Sequence, residues 1–214
     1  MPEIKCFELG ALQANCYFVT DGDEAFVVDP GDKSSKLTDC INDFGAEKLR
    51  YIILTHGHFD HIGFAAGLKK LYQGASVVIG AADSEFAKND TLNLSLFFGT
   101  PAEHFDPDII VSDGDTLPFA GGEITVLSTP GHTRGSICLR YGSSLFSGDT
   151  IMRCTTGRTD FPTGNGKEML SSARKLAAID ENLTIYCGHG MQTTLDFERT
   201  HNFAMGNNAY DDMY

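Results

Sequence analysis

The sequence predicts an α+β fold in which two β-sheets pack face to face and helices cover their outer faces. Segments with strand character and segments with helical periodicity follow one another as strands, helix, strand, helix, and the same succession occurs again in the second half of the chain. The 214 residues are 42% hydrophobic, which is sufficient for a sizeable core. No apolar run approaches the length that a bilayer span requires. We expect residues 1–214 to form a single domain.

The first half of the chain supplies five predicted strands and three predicted helices. Runs rich in β-branched and aromatic residues predict strands at 6–9, 14–20, 25–28, 51–54 and 76–79. Apolar residues at helical spacing predict helices at 33–44, 61–72 and 81–88, and Gly45 is expected to end the first of them. Residues 89–106 have no clean period and form either a lid over a site or a packed surface excursion.

The second half of the chain supplies six predicted strands and two predicted helices. Short apolar runs separated by turns that contain Gly or Asp predict strands at 109–111, 117–119, 124–128, 136–141, 144–147 and 183–187. Apolar residues at helical spacing predict helices at 167–179 and 194–203.

Composition limits the classes of function. The formal net charge of -13 would repel a nucleic acid, and no run of Lys or Arg opposes that field, so we expect no nucleic-acid partner. The N-terminal sequence has neither the basic nor the apolar region of a signal peptide, which favours a cytoplasmic protein without a membrane partner. The six cysteines form no C-x-x-C pair, and we expect free thiols, most of them in the core. The sequence leaves the oligomeric state open.

Metal-binding side chains follow the predicted strand at 51–54. His56, His58, Asp60 and His61 lie within six residues and include three of the chain's seven histidines. In an extended segment alternate residues point the same way, so we expect His56, His58 and Asp60 to converge while His61 follows as the chain turns. A polar loop without a metal rarely concentrates imidazoles in this way. The stretch therefore predicts a metal site at the end of a strand.

Three further candidate ligands occupy equivalent places in the second half of the chain. His132, Asp149 and His189 each follow a predicted strand through a short turn that contains a glycine. A single histidine of this kind is more often a core residue, but the shared pattern favours one common site. Five imidazoles and two carboxylates are too many for one tetrahedral zinc ion, so the set predicts two divalent ions. These donors suit zinc, and they also accept iron or manganese.

The motifs H-x-H-x-D-H, T-P-G-H, S-G-D and G-H-G occur in this order, and together they resemble those of the metallo-β-lactamase fold superfamily. The resemblance extends over roughly residues 12–190. It implies a four-layer αβ/βα sandwich of two mixed sheets with a dinuclear metal centre at one edge. It also implies a ligand set in which one ion is bound by His56, His58 and His132, the other by Asp60, His61 and His189, and Asp149 bridges the two.

Two further residues have roles that the sequence leaves open. Asp29 matches a superfamily motif in which an aspartate supports a ligand histidine, although a turn aspartate before Pro-Gly is the other interpretation. Arg158 lies in a Gly-Arg-Thr-Asp-Phe-Pro segment that resembles a loop of short glyoxalase-II-like hydrolases. It either steers an anionic substrate or pairs with Asp160. His104 and His201 match no motif and are expected to be surface or packing residues.

Asp149 indicates the branch of the superfamily that this chain resembles. Class B1 β-lactamases carry Cys at the matching position and class B3 enzymes lack the bridging carboxylate, whereas hydroxyacylglutathione hydrolases carry Asp. The resemblance thus implies a dinuclear hydrolase that cleaves S-lactoylglutathione or a related acyl thioester. The nucleophile would be a metal-bound hydroxide that Asp60 orients as the catalytic residue, and two cations favour a small anionic substrate. The 24 residues after Gly190 are expected to form one helix and a tail, whereas full glyoxalase II has a helical domain there that makes most of its glutathione contacts, so recognition of glutathione stays open.

Two other functions fit the same residues. Persulfide dioxygenases resemble this sequence at the same histidines but use a single iron, which His56, His132 and Asp149 would hold here. A non-catalytic metal-binding module would bind metal without turnover, although a complete ligand set with both carboxylates is more than a structural site needs. Metal content, oxygen consumption with a persulfide and turnover of a thioester distinguish these functions.

Overall fold

The structure, a computed structural model, describes residues 2–100 and 103–206, and its strands form two six-stranded mixed sheets. The first sheet contains, in spatial order, β1 (Glu3–Leu9), β2 (Ala14–Asp21), β3 (Glu24–Val28), β4 (Leu49–Leu54), β5 (Ser76–Gly80) and β6 (Ile109–Val111). The second contains β7 (Thr116–Phe119), β8 (Gly122–Ser128), β9 (Ile137–Tyr141), β10 (Ser144–Gly148), β11 (Thr184–Cys187) and β12 (Thr193–Thr194). In the first sheet β3 to β6 are parallel, and in the second only the pair β10 and β11 is parallel.

Successive side chains along a strand point to opposite faces of the sheet, and this alternation separates the core into layers. In β4, Ile52 and Leu54 lie in a core shared with the helices on the outer face of the first sheet, whereas Tyr51 and Ile53 lie in the core between the two sheets. A third apolar cluster joins the outer face of the second sheet to the C-terminal helices. Three core layers separate four layers of secondary structure, which confirms the predicted αβ/βα sandwich.

The helices lie outside the sheets. They are α1 (Ser35–Phe44), α2 (Phe59–Ile62), α3 (Ala65–Leu71), α4 (Ser95–Phe98), α5 (Gly166–Ala177) and α6 (Leu195–His201), with 3₁₀ segments at Ala46–Lys48 and Ala81–Lys88. The side chains of Ser34, Asn165 and Thr194 cap α1, α5 and α6 by accepting hydrogen bonds from backbone N–H groups of the first turn. Gly45 ends α1 with a φ of 121°, as the sequence predicts. Within residues 2–100 and 103–206, every helix is too short or too polar for a bilayer span.

Two helix predictions are wrong in detail. The predicted helix at 61–72 is two short helices, α2 and α3, because the chain between them packs on the Asp29-Pro30-Gly31 turn. Phe64 donates its backbone N–H to the carbonyl of Pro30 over 2.9 Å, and a Cβ at Gly63 would lie 2.4 Å from the carbonyl oxygen of Gly31. Asp60 consequently lies in α2 and not in an extended segment. The segment at 81–88 is a 3₁₀ helix.

The cysteines are free thiols, as expected, but the prediction that most are in the core is wrong. Cys16, Cys138 and Cys187 are buried, Cys40 is half-buried, and the other two are exposed. The three buried thiols lie on strands whose side chains alternate between faces, and each points into the protein. Cys6 lies on β1, which is the edge strand of the first sheet, and most side chains of this strand reach solvent.

Candidate metal centre

All seven predicted ligand residues meet at one edge of the sandwich. Each follows the C-terminal end of a strand: β4 leads to the cluster at 56–61, β8 to His132, β10 to Asp149 and β11 to His189. A hydrogen bond from the backbone N–H of Ile137 to the carbonyl of Thr55, 2.8 Å long, joins the two sheets at this edge. The turns that follow these four strands in the sequence therefore lie together at a single place in the fold.

The first group of donors consists of three buried imidazoles. Ligand nitrogens of His56, His58 and His132 lie within 4.8 Å of one another. Nδ1 of His58 is 2.9 Å from Nε2 of His132. Two nitrogens bound to one tetrahedral ion at 2.0–2.1 Å lie about 3.3 Å apart, so these rings are already close to ligand spacing.

The second group of donors has one carboxylate and two imidazoles. Nε2 of His189 is 3.3 Å from Oδ2 of Asp60 and 3.3 Å from Nε2 of His61, and the remaining separation, from His61 to Asp60, is 3.6 Å. All three distances are near the value of about 3.3 Å for two ligands of one tetrahedral ion. This triangle is therefore a second place at which a cation fits.

Asp149 lies between the two groups. Its Oδ2 is 3.4 Å from Nε2 of His132 in the first group, and its Oδ1 is 3.6 Å from Nε2 of His61 in the second. Oδ2 is also 3.7 Å from Nε2 of His189 in the second group. The carboxylate therefore lies within reach of both groups, as a bridging ligand requires.

Asp29 contacts a candidate ligand and does more than end a turn. Its Oδ2 accepts a hydrogen bond from Nδ1 of His61 over 2.9 Å and another from the hydroxyl of Thr55 over 2.6 Å, while its Oδ1 accepts the backbone N–H of Thr55 over 2.7 Å. The Thr55 oxygen in turn lies 3.2 Å from Nδ1 of His56. These contacts hold a proton on Nδ1 of His56 and of His61, so that Nε2 is the nitrogen of each ring that is directed toward the centre.

His132 is oriented in the same way by the segment that contains Arg158. Nδ1 of His132 donates to the backbone carbonyl of Arg158 over 2.7 Å. The contact fixes the orientation of the ring, so that Nε2 of His132 faces Asp149. The backbone of Arg158 therefore positions a candidate ligand, whatever its side chain does.

The carboxylates of the centre favour positive charge on the neighbouring imidazoles. Burial lowers the pKa of His61, but the carboxylates of Asp60, Asp149 and Asp29 outweigh burial and raise the pKa of His61 to about 10. Burial raises the pKa of Asp60, while His61 and His189 outweigh burial and hold it well below its usual range. Positive charge is thus strongly favoured at this point, and a divalent cation supplies more of it than a proton.

Buried atoms without hydrogen-bond partners show that the donor set suits metal ions. Among the described residues, Nε2 of His56, Nε2 of His58 and Oδ1 of Asp149 are buried and make no hydrogen bond. Burial and then the neighbouring imidazoles lower the pKa of His56 well below its usual value, so its ring is neutral and able to donate a lone pair. An unpaired buried polar atom costs about 1–3 kcal/mol, and coordination removes this cost for His56 and Asp149. The residues present therefore fit two bound cations.

Asp83 is a site residue that the sequence did not reveal. Its carboxylate is fully buried and accepts hydrogen bonds from the backbone of Gly57 (2.9 Å), the hydroxyl of Thr133 (2.6 Å) and the backbone of Gly135 (2.8 Å). Burial raises the pKa of Asp83, and these three hydrogen bonds oppose the rise. Gly57 lies between His56 and His58, so Asp83 joins the loop of two candidate ligands to the loop of a third.

Asn15 is a second residue that supports the site and that the sequence did not reveal. Its side-chain amide donates to the carbonyls of Cys187 (3.0 Å) and Gly190 (2.9 Å), and its backbone N–H donates to Gly188 (2.7 Å). These contacts attach the loop that carries His189 to β2 in the other sheet. In the sequence Asn15 is recognisable only as a polar residue at the start of a mostly apolar strand, and in the structure its side chain is buried.

Two glycines allow the strand ends to approach each other. Gly148 has a φ of 48°, and a Cβ there would lie 2.3 Å from Oγ1 of Thr55. A Cβ at Gly188 would lie 2.1 Å from Oδ1 of Asp149. Any larger residue at either position would displace the carboxylate or the residues that support it.

Arg158 lies beside the centre and is paired. The residue lines a cavity of about 310 Å³ that also contacts His58, His132, Asp149 and His189. Its guanidinium makes two hydrogen bonds of 2.6 Å to Asp160 and stacks on a phenylalanine ring 4.0 Å away. Both roles that the sequence left open, pairing and access to a substrate, are thus compatible with its position.

Other predicted features lie around the centre or away from it. The segment at 89–106 borders the cavity, because Leu94 and Phe98 line it. His104 is exposed and pairs with Asp90, and His201 is exposed and stacks on Phe197. The two histidines outside the motifs are therefore surface residues, as expected.

Comparison with known proteins gives a consistent result. Residues 9–189 match the sequence profile of the Metallo-beta-lactamase superfamily. Hydroxyacylglutathione hydrolase GloC of Haemophilus influenzae is 32% identical over 205 residues, which cover 93% of this chain and 96% of that protein. The crystal structure of the B3 metallo-beta-lactamase BLEG-1 matches this fold with a TM-score of 0.88. The two sequences are 30% identical, and the match covers 95% of this chain and 99% of that chain. The crystal structure of TTHA1623 in a di-iron-bound form is 29% identical with a TM-score of 0.81, covering 93% and 98%.

The chain belongs to the metallo-β-lactamase superfamily. A sandwich of two mixed sheets, with a cluster of His and Asp donors at one edge, defines the class of protein. The matches to GloC and BLEG-1 extend over nearly the whole length of those proteins.

Proposed function

We propose that this protein is a dinuclear metal-dependent hydrolase that cleaves a thioester, either S-lactoylglutathione or a related acyl thioester. The observation that carries the proposal is the presence of two separate three-donor groups with Asp149 between them. Zinc is the proposed ion, and iron and manganese accept the same donors. Two relatives support the proposal: GloC is a hydroxyacylglutathione hydrolase, and the crystal structure of TTHA1623 is of a di-iron-bound form.

The first ion would be held by His56, His58 and His132, the second by Asp60, His61 and His189, and Asp149 would contact both. Divalent ions held there would lower the pKa of a bound water to about 7 and so would supply a nucleophile at neutral pH.

The chain's own residues orient the reactants. Asp60 lines the cavity beside the centre, so its carboxylate can accept a hydrogen bond from the attacking water and direct it. Arg158 lines the same cavity, and its exposed guanidinium can attract an anionic group of a small substrate. A cytoplasmic location is part of the proposal.

The test is metal analysis of the purified protein together with an assay of thiol release. We expect close to two ions per chain and hydrolysis of S-lactoylglutathione or a simpler acyl thioester, abolished by a chelator and restored by added metal. Asp60→Asn and His56→Ala should reduce kcat by at least about 100-fold. His104→Ala is the matched control, since this histidine is exposed and pairs only with Asp90. If the Asp60 and His56 variants hydrolyse thioesters as fast as the control, the assignment is wrong.

β-Lactam hydrolysis is a second candidate, because BLEG-1 is a class B3 metallo-beta-lactamase with a TM-score of 0.88. A β-lactam assayed beside the thioesters decides between the two by the larger kcat/KM. The single-iron dioxygenase would instead show one iron per chain and consume oxygen with a persulfide, but it leaves the second donor group without a role. A non-catalytic module would bind metal and turn over none of these substrates.

A further inference from the structure

The metal centre opens into two adjoining cavities. The cavity of about 310 Å³ that contains Arg158 is joined by one of about 460 Å³ next to the turn between β1 and β2. Both are large enough to take part of a small ligand. Four residues line both cavities, and Asp60 is among them. A substrate whose reacting bond lies at the centre can therefore extend one arm into each cavity.

Apolar side chains form the wall that the cavities share. Leu12, Phe59 and Phe98 line both, and the Phe59 and Phe98 rings contact each other with centroids 5.0 Å apart. Leu12 and Phe98 each remain 42% exposed, so apolar surface is available to a ligand. Such a wall favours an apolar group on the substrate at the junction of the cavities.

Charge in the two cavities is distributed unequally. Among the described residues that line the cavity next to the β1–β2 turn, the charged side chains are Asp32 and Asp60, and none is cationic. In the other cavity the guanidinium of Arg158 is already paired with Asp160 by two hydrogen bonds. Glutathione carries two carboxylates, and a carboxylate near Asp32 would be repelled while one near Arg158 would compete with Asp160.

We propose that the site selects an acyl thioester with an apolar, uncharged thiol arm in preference to a glutathione thioester, and that Asp32 determines this preference. The inference rests on the proposed function and names the substrate class of that site. Water supplies the atoms: the carbonyl carbon gains a bond to the water oxygen and loses its bond to sulfur. One water proton ends on the thiol, and the other leaves as the acid ionises.

Two thioesters with the same acyl group test the proposal. S-lactoylglutathione and S-lactoyl-N-acetylcysteamine share the reacting bond and differ in the thiol arm, which carries three charged groups in the first and none in the second. For the holoenzyme we expect kcat/KM to be about tenfold higher for the uncharged thioester. Asp32→Asn should reduce this ratio about threefold and Asp32→Lys about tenfold, through KM for the glutathione thioester, because attraction replaces repulsion.

The matched control is Asp43→Lys, which changes the net charge equally at an exposed residue of α1 outside both cavities and should leave the ratio unchanged. Preference of the wild-type enzyme for the glutathione thioester overturns the inference but leaves the thioesterase proposal standing. A ratio that Asp32→Lys and Asp43→Lys change equally also overturns it, since the effect would then be one of net charge. Failure to hydrolyse either thioester overturns both proposals.

Discussion

Asp83 offers the sharpest test of how the centre is supported. Asp83→Ala would leave two buried backbone donors, the N–H groups of Gly57 and Gly135, without their acceptor. The hydroxyl of Thr133 would also lose its bond to Asp83, but it can donate to Oγ of Ser136, 2.8 Å away. Each unsatisfied donor costs about 1–3 kcal/mol, and water entering the vacated space would recover part of that. We expect a loss of about 3–5 kcal/mol in the free energy of unfolding, which is a large share of the typical total of about 5–15 kcal/mol.

Asp83→Asn is the more informative variant because it keeps the size of the side chain. Its amide oxygen can take the place of Oδ2 and keep the hydrogen bonds from Gly57 and Thr133. The amide nitrogen then faces the backbone N–H of Gly135, where two donors meet. One such conflict should lower the free energy of unfolding by about 1–3 kcal/mol, so the variant folds.

The assay separates stability from metal binding. Urea unfolding with a chelator present gives the stability of the metal-free protein, and competition with a chromogenic chelator gives zinc affinity. Since Asp83 holds the loop between His56 and His58, we expect Asp83→Asn to weaken zinc binding about 10- to 100-fold. Glu85→Gln makes the same chemical change on the same 3₁₀ segment at an exposed residue paired with Arg134, and should change stability by less than about 0.5 kcal/mol. Wild-type affinity and wild-type urea midpoint in Asp83→Asn would refute the reasoning.

Three other predictions follow from the centre. Because the pKa of His61 is raised to about 10, a bound cation must displace its proton at pH 7. Zinc affinity should therefore fall about tenfold for each unit that the pH is lowered from 8 to 6, and a pH-independent affinity would contradict this. Asp29→Asn should weaken zinc binding about 10- to 100-fold in competition titrations while the far-UV circular dichroism stays unchanged, because the hydrogen bond that fixes the tautomer of His61 is altered. Gly148→Ala should lower the free energy of unfolding by about 2–4 kcal/mol, because the added Cβ would meet Thr55. Gly142→Ala, where φ is a similar 55° and the space is open, should lower it by about 1 kcal/mol. Equal losses in the two variants would show that only the φ matters.

The strands and the candidate ligands could be predicted because their signals are local. Runs such as Tyr51–Leu54 combine β-branched residues with burial on both faces, which indicates a strand wherever it lies in the fold. His56, His58 and His61 lie so close along the chain that no distant contact is needed to suggest a metal site. The resemblance in four motifs then implied the layers of the sandwich and the division of the ligands into two groups.

Features that depend on distant contacts could not be predicted. The break between α2 and α3 results from packing on Gly31, and helical periodicity along the chain contains no sign of it. Asp83 acts through Gly135, 52 positions away, and Asn15 acts through Cys187, 172 positions away. In the sequence both are ordinary polar residues in ordinary segments.

The sequence by itself determined which residues are candidate metal ligands, because residue type and short-range spacing decide what a side chain can bind. The tertiary structure decided how those residues are held and what surrounds them: the protons fixed on Nδ1 of His56, His61 and His132, and the second cavity with its carboxylates. These properties depend on which strand ends the two sheets bring to one edge, and burial at that edge determines the charge and hydrogen bonding of every group there.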